Sequence, residues 1–244
     1  MTASKRTDPT NRLLDALSVP SRKRVLKDCE RVDLGFASVL CEPGDLIRYA
    51  YFPLDSFISL VTTLHDGSRL EVGIAGNEGM LGTSLILGVQ RSPQLAVVQG
   101  AGSALRMTAA TFSRVLAKDN ILRRGLDRYV CVLMRQLSQT LACTHFHSVE
   151  QRLGRWLLLT RDCAHSNQFH LTHEFLAYML GVRRVGVTQA AGSLQASGLI
   201  EYRRGQIDIL DGPGLEKATC RCYSVGREMY DRTLGSPLDA QHWA

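Results

Sequence analysis

The side chains best suited to chemistry in this 244-residue chain gather between Leu171 and Gln195, LTHEFLAYMLGVRRVGVTQAAGSLQ. Arg183, Arg184, Thr188 and Gln189 share the outward side of a predicted helix whose inward side is Val182, Val187, Ala190, Ala191 and Leu194. A guanidinium fork can grip guanine O6 and N7, and a carboxamide can pair with adenine. An exposed helix N-terminus binds phosphate, and Thr172 caps one. Basic and amide groups on the free side of a short helix therefore suit the major groove of duplex DNA.

The elements that must hold these groups are legible nearby. Thr172, Glu174 and the Leu171/Leu176 pair start one helix, along which Phe175, Leu176, Met179 and Leu180 form an apolar stripe. Gly181 ends it, where a left-handed residue is needed, and the second helix begins at once. Downstream, Leu199–Tyr202 and Gln206–Leu210 read as two strands joined at Arg203-Arg204-Gly205. That hairpin would carry two guanidinium groups beside the second helix, placed to touch phosphates. The pattern is a winged helix-turn-helix.

Two further sets of side chains could do chemistry. Cys143 and His147 share a helix face at i, i+4, but two ligands are too few for a structural zinc unless a partner subunit adds two more. Cys220-Arg221-Cys222 lacks the two-residue spacer of common zinc knuckles and reads as structural, so no metal is expected. The seven cysteines are odd in number and scattered, which argues against a secreted disulfide framework. A formal charge of +6 favours an anionic partner. Neither a signal peptide nor a membrane span is legible, so the expected setting is the cytoplasm, without membrane contact. The chain has no Walker loop, no G-x-S-x-G, no H-E-x-x-H and no Gly-rich turn opening a βαβ unit, so an enzyme is not expected.

Upstream the texture changes. Short apolar or alternating runs at Ser38–Leu40, Tyr49–Phe52, Phe57–Thr62, Leu70–Ile74, Gln94–Gln99 and Ser103–Met107 are separated by turn-formers. They predict a β-barrel or jelly roll, with a hairpin at Asp66-Gly67. One or two short helices precede it within Asn11–Asp28, and Thr111–Ala117 forms another. From about Asn120 runs a long helix on which Leu122, Leu126, Tyr129, Val130, Leu133 and Leu137 recur every three or four residues. That stripe outlasts what a small barrel could cover, so it predicts a seam with a second copy of the helix.

A β-rich N-terminal half, a long helix and a C-terminal winged helix resemble the Crp/Fnr family of bacterial transcription regulators. The resemblance rests most on HSVEQRLGRWLL (147–158), LTHEFLAYMLGVRR (171–184) and GLIEYRRGQIDIL (198–210), with CEPGDLI and YFPLDSFISLVTTLHDGS in the first half. It implies an α+β chain divided into a tail (1–10), a cyclic-nucleotide-binding-like sensor barrel (11–117), a dimerisation helix (118–144), a DNA-binding domain (145–220) and a C-terminal extension (221–244). It further implies a homodimer on a two-fold operator, with half-sites roughly 34–36 Å apart, that works with RNA polymerase. The family's base-reading positions fall at Arg184, Val185 and Gln189. Its cyclic-nucleotide cassette falls on Gly82, Thr83, Arg91 and Ser92. Thr83 stands where a ribose-binding glutamate would be, so a cyclic nucleotide is disfavoured as effector. The rival reading is a cyclic-nucleotide-binding module that signals through protein contacts.

Overall fold

The computed structural model describes residues 9–235. Most of the expected N-terminal tail and the last residues of the C-terminal extension, 236–244, lie outside the described residues. Two short helices come first, α1 (Arg12–Asp15) and α2 (Val19–Lys27). The Asn11 carboxamide caps α1 by accepting from Leu14 N, and donates to the carbonyls of Pro53 and Gly79. One side chain thus sews the helix to the sheet behind it.

Seven strands follow: β1 (Glu30–Leu34), β2 (Val39–Cys41), β3 (Tyr49–Pro53), β4 (Phe57–Thr63), β5 (Arg69–Ala75), β6 (Leu95–Gly100) and β7 (Gly102–Thr108). They form two antiparallel sheets, ordered β1-β7-β3 and β2-β6-β4-β5. Phe52 and Met107 from one sheet meet Ile58 and Val98 from the other in a single core. The architecture is the double-sheet one of the two expected. Asp66-Gly67 turns β4 into β5 as the sequence predicts, with Gly67 at φ 82° and the Asp66 carboxylate accepting from Ser68 N. Strand β1 was not legible, because ERVDL buries only Leu34; it meets β7 through its backbone pairing and through polar side chains, Arg106 donating to Glu30 and Arg31 to Ser103.

Helix α3 (Ala109–Lys118) leads into α4 (Asn120–Phe146). Asp119 between them is buried. It caps α4 by accepting from Ile121 N and Leu122 N, and takes hydrogen bonds from Ser21 and Arg24. Burial alone would raise its pKa, but these donors and the Arg24 charge outweigh it and hold the carboxyl below its ordinary range.

The seam expected along α4 needs correction in its first half. Leu122, Leu126 and Tyr129 are only 1%, 1% and 2% exposed, because they pack into the chain's own sandwich core. Val130 and Leu133 lie half-buried at the edge of that core. The reason is a close approach at Gly79, where any Cβ would collide with the Tyr129 hydroxyl. With no side chain there, Tyr129 reaches in, and its oxygen accepts from Met80 N. Beyond Val132 the helix leaves the sandwich, and Met134, Leu137 and Leu141 are 63%, 45% and 74% exposed.

The second half of the chain has its own core, built from α5 (Val149–Ala164), β8 (Gln168–His170), α6 (His173–Leu180), α7 (Arg184–Ala196), β9 (Ile200–Arg203), β10 (Gln206–Ile209) and α8 (Gly212–Ala218). Helix α9 (Cys222–Leu234) is no separate appendage. Its Tyr223 belongs to this second core, while Met229, Tyr230 and Leu234 belong to the first. The Tyr230 hydroxyl donates to the Glu78 carbonyl. None of the described helices is long and apolar enough to cross a membrane.

The two cores also meet at β5. Val61 of β4 packs into the second core, and Leu70 lies against Gly181. Between them the buried Glu71 carboxyl accepts from Ser59 Oγ at 2.5 Å and from Trp156 Nε1 at 2.7 Å. Burial pushes Glu71 up from its ordinary 4.5 to about 7, against the opposing pull of both hydrogen bonds and of Arg155. The folded state therefore holds this proton more tightly than the unfolded chain does. Its contribution to stability is complete below about pH 4.5 and is lost as pH rises through about 7. Glu71→Gln keeps an acceptor for Trp156 and removes the titration. The denaturation midpoint of the wild type should fall between about pH 5 and about pH 8 relative to that of Glu71→Gln. Parallel midpoints across that range would show that Glu71 does not hold a proton in the folded chain.

Candidate nucleic-acid interface

The face bearing the predicted base-reading residues is built from beneath. Ser148 and Gln151 form a reciprocal capping box that starts α5: Gln151 N donates to Ser148 Oγ, and Ser148 N donates to Gln151 Oε1, both at 3.2 Å. Trp156, Leu157 and Leu158 make the floor. Thr172 Oγ1 accepts from Phe175 N at 3.1 Å and so begins α6, which ends at Gly181 with φ 61°. A Cβ at Gly181 would also meet Leu70 Cδ1 at 2.9 Å, so this glycine serves both the turn and the contact with β5. The Arg152 guanidinium donates to the Leu180 carbonyl, satisfying an acceptor at the end of the helix.

Helix α7 then runs without interruption through Gly186 and Gly192. Val187, Ala190, Ala191 and Leu194 are buried, and Arg183, Arg184, Val185, Thr188 and Gln189 are exposed together at its N-terminal end. Arg183 occupies the N-cap position without a side-chain cap and is exposed. Thr188 Oγ1 donates to the Arg184 carbonyl at 3.1 Å. Arg183, Arg184 and Arg204 form no ion pair among the described residues.

The hairpin β9–β10 turns at Arg204 and Gly205, with φ 50° and 87°, the left-handed pair that a two-residue turn requires. Arg203 and Arg204 are both exposed at its tip, with Arg203 paired to Glu201 at 2.6 Å. β10 also pairs with β8, completing a three-stranded sheet whose short first strand was not legible as one. The hairpin is fastened to α7 where Gln195 Oε1 accepts from Tyr202 N at 2.8 Å.

His173 was missed by sequence reasoning, since nothing in LTHEF marks it. Its ring stacks on Tyr202 with centroids 4.2 Å apart, and Nδ1 lies 2.9 Å from Thr188 Oγ1. One imidazole thereby joins α6, α7 and the hairpin. Partial burial and the neighbouring Arg184 charge both push its pKa below the ordinary value, which favours the neutral ring.

Of the four candidate effector residues, Arg91 lines a cavity of about 520 Å³ together with Leu40, Gly44, Asp45, Leu46 and Arg48. Gly82 and Thr83 start a short 3-10 turn, Thr83–Leu87, and the preceding Met80 and Leu81 are buried. The Arg91 guanidinium is exposed and donates to the Gly44 carbonyl at 2.6 Å, while Ser92 Oγ donates to the Gln94 carbonyl at 2.7 Å. Both polar side chains on the expected phosphate side are engaged by the chain's own backbone. Another cavity, of about 530 Å³, lies between the cores, lined by β5, α4, α5 and α9.

The structure also joins the two sets of potential metal ligands. Cys143 and His147 meet Cys220 and Cys222 of the same chain, so the second pair need not come from a partner. Helix α9 folds back along α4 and carries Cys222 with it, a long-range contact that spacing could not reveal.

Comparison with known proteins agrees with this geometry. Residues 151–218 match the Crp-like helix-turn-helix domain. No curated protein matches the chain in sequence. Among solved structures, FixK2 from Bradyrhizobium japonicum is 14% identical, with a TM-score of 0.66 over 79% of this chain and 98% of that one. CLP from Xanthomonas campestris, a c-di-GMP-responsive global regulator, is 16% identical, with a TM-score of 0.64 over 79% and 99%. A CRP-family transcriptional regulator from Thermus thermophilus, TTHB099, is 19% identical, with a TM-score of 0.62 over 86% and 99%. The chain has the fold of Crp/Fnr-type transcription regulators, with a Crp-like helix-turn-helix domain at its C-terminal end.

Proposed function

We propose that this chain is a sequence-specific DNA-binding transcription regulator of the Crp/Fnr type. The observation that carries the reading is the exposed N-terminal end of α7, where Arg183, Arg184, Val185, Thr188 and Gln189 stand together above a buried apolar underside. Arg184 is the guanine reader and Gln189 the adenine reader in this scheme, and Val185, 59% exposed, offers an apolar contact to a thymine methyl. Thr172 at the start of α6 and Arg203 and Arg204 on the hairpin approach phosphates, which position the helix without specifying sequence.

The active species is a homodimer. Val130, Met134, Leu137 and Leu141 follow one another at intervals of four, three and four residues, the spacing of a coiled-coil seam, and the last three stand exposed beyond the sandwich. The pairing face therefore lies on the second half of α4, with Leu133 at its edge. Two copies paired there would present two α7 helices to a two-fold operator, and RNA polymerase is the further partner of such a complex. The sandwich influences the DNA head through Glu71–Trp156 and the Leu70–Gly181 contact. The engaged Arg91 and Ser92 argue against a cyclic nucleotide as the effector.

Selection of bound duplexes from a random pool tests the assignment directly. It should return a two-fold symmetric site, and recovery of unrelated sequences would remove the regulator reading. On the selected site, Arg184→Ala should weaken binding by about 1–3 kcal/mol and relax preference at one base pair in each half. An equal loss on random DNA would make Arg184 a phosphate contact only. Leu137→Glu should shift the sedimenting species from dimer to monomer while leaving circular dichroism unchanged. A dimer that survives this change places the interface elsewhere.

A further inference from the structure

Four metal-ligand side chains converge where the end of α4 meets the start of α9. Cys143 lies in the last turn of α4, and His147, its C-cap residue, follows at i+4. Cys220 and Cys222 flank Arg221 at the entry to α9. The three sulfurs and a ring nitrogen of His147 all lie within 4.8 Å of one another. Cys143 Sγ is 3.5 Å from Cys220 Sγ, and Cys222 Sγ is 3.5 Å from His147 Nδ1. A tetrahedral zinc, with Zn–S near 2.3 Å and Zn–N near 2.0–2.1 Å, sets two sulfurs about 3.8 Å apart and a sulfur and nitrogen about 3.6 Å apart. The two close pairs thus match opposite edges of one coordination tetrahedron.

We propose that Cys143, His147, Cys220 and Cys222 form a Cys3His site for a thiophilic divalent cation of the zinc class. The three cysteines are buried and form a cluster of their own, apart from both apolar cores. Three thiolates and an imidazole fill a tetrahedron, which is the closed donor set of a structural zinc rather than a catalytic one. Binding releases the three thiol protons to solvent and leaves a net charge of −1 on the complex. Arg155, whose positive charge acts on Cys143, stands ready to offset it, and its buried Nε has no hydrogen-bond partner. Gln139 Nε2 donates to Cys222 Sγ at 3.0 Å, the kind of contact that orients a thiolate ligand. A Cys143–Cys220 disulfide would use two of the four groups and leave the Cys222–His147 approach without a purpose.

The site would clip α9 to the last turn of α4, one residue before the Ser148 cap that opens the DNA head. It stands on this geometry alone and does not depend on the DNA reading. The test uses the full chain, purified under reducing conditions without chelator. Elemental analysis should find one zinc per chain. After stripping, titrated cobalt should give the intense visible bands of a tetrahedral site and thiolate-to-cobalt charge transfer in the near ultraviolet. Cys222→Ser and His147→Ala should each weaken cobalt binding by at least about 100-fold, more than the 10–100-fold cost of losing a group that merely orients a ligand. Cys131→Ser, which removes an exposed thiol on the same helix, should change nothing. Zinc should also raise the melting temperature of the stripped wild type, because only the folded chain assembles the four ligands. A wild-type chain that holds no zinc and leaves cobalt octahedral overturns the site whether or not the variants fold. So does a Cys143–Cys220 disulfide in a chain that takes up no metal after reduction.

Discussion

Helix α4 has to satisfy two surroundings with one continuous stripe, and the rest of the molecule follows from how that stripe is divided. Its first turns are held by Asp119 and buried with Leu122, Leu126 and Tyr129 in the sandwich. The absence of a side chain at Gly79 lets Tyr129 enter. Once those residues are committed to the chain's own core, only the second half can meet another molecule. There Met134, Leu137 and Leu141 stand in solvent. An exposed apolar row of this length on a helix is costly for an isolated chain, which is the physical argument for a second copy.

The helix-turn-helix head depends on contacts that face away from its exposed α7 residues. Trp156 floors α6 and α7 on one side and donates to a carboxyl of the sandwich on the other. Gly181 permits the turn between the helices and, by the same lack of a Cβ, lets Leu70 press against it. His173 locks the two helices to the hairpin. A change in the β4–β5 hairpin would therefore act on the parts that hold α7 without touching its exposed side chains.

Helix α9 supplies a second fastening. It places Tyr223 in one core and Tyr230 in the other, and brings Cys222 to the end of α4. The head is thus held to the sandwich from two sides, through β5 and through α9. The cavity of about 530 Å³ lies between these attachments, lined by both. Relative movement of the two cores would have to open or close that space.

Local features were written in the residues themselves. The Thr172 cap, the left-handed Gly181, the Arg204-Gly205 turn, the Asp66-Gly67 turn and the outward set on α7 each depend on interactions within a few positions, so propensity and periodicity were enough to find them. The seam on α4 was legible as a stripe but not as a surface, because a period of three to four marks burial and says nothing about what does the burying. Strand β1 carried no apolar alternation, since it meets its partner through backbone pairs and polar side chains rather than through an apolar face. The meeting of Cys143 and His147 with Cys220 and Cys222, and of Glu71 with Trp156, joins residues far apart along the chain. Only the packing of the two cores, and of α9 back along α4, brings those groups together, and no spacing rule reaches across such contacts.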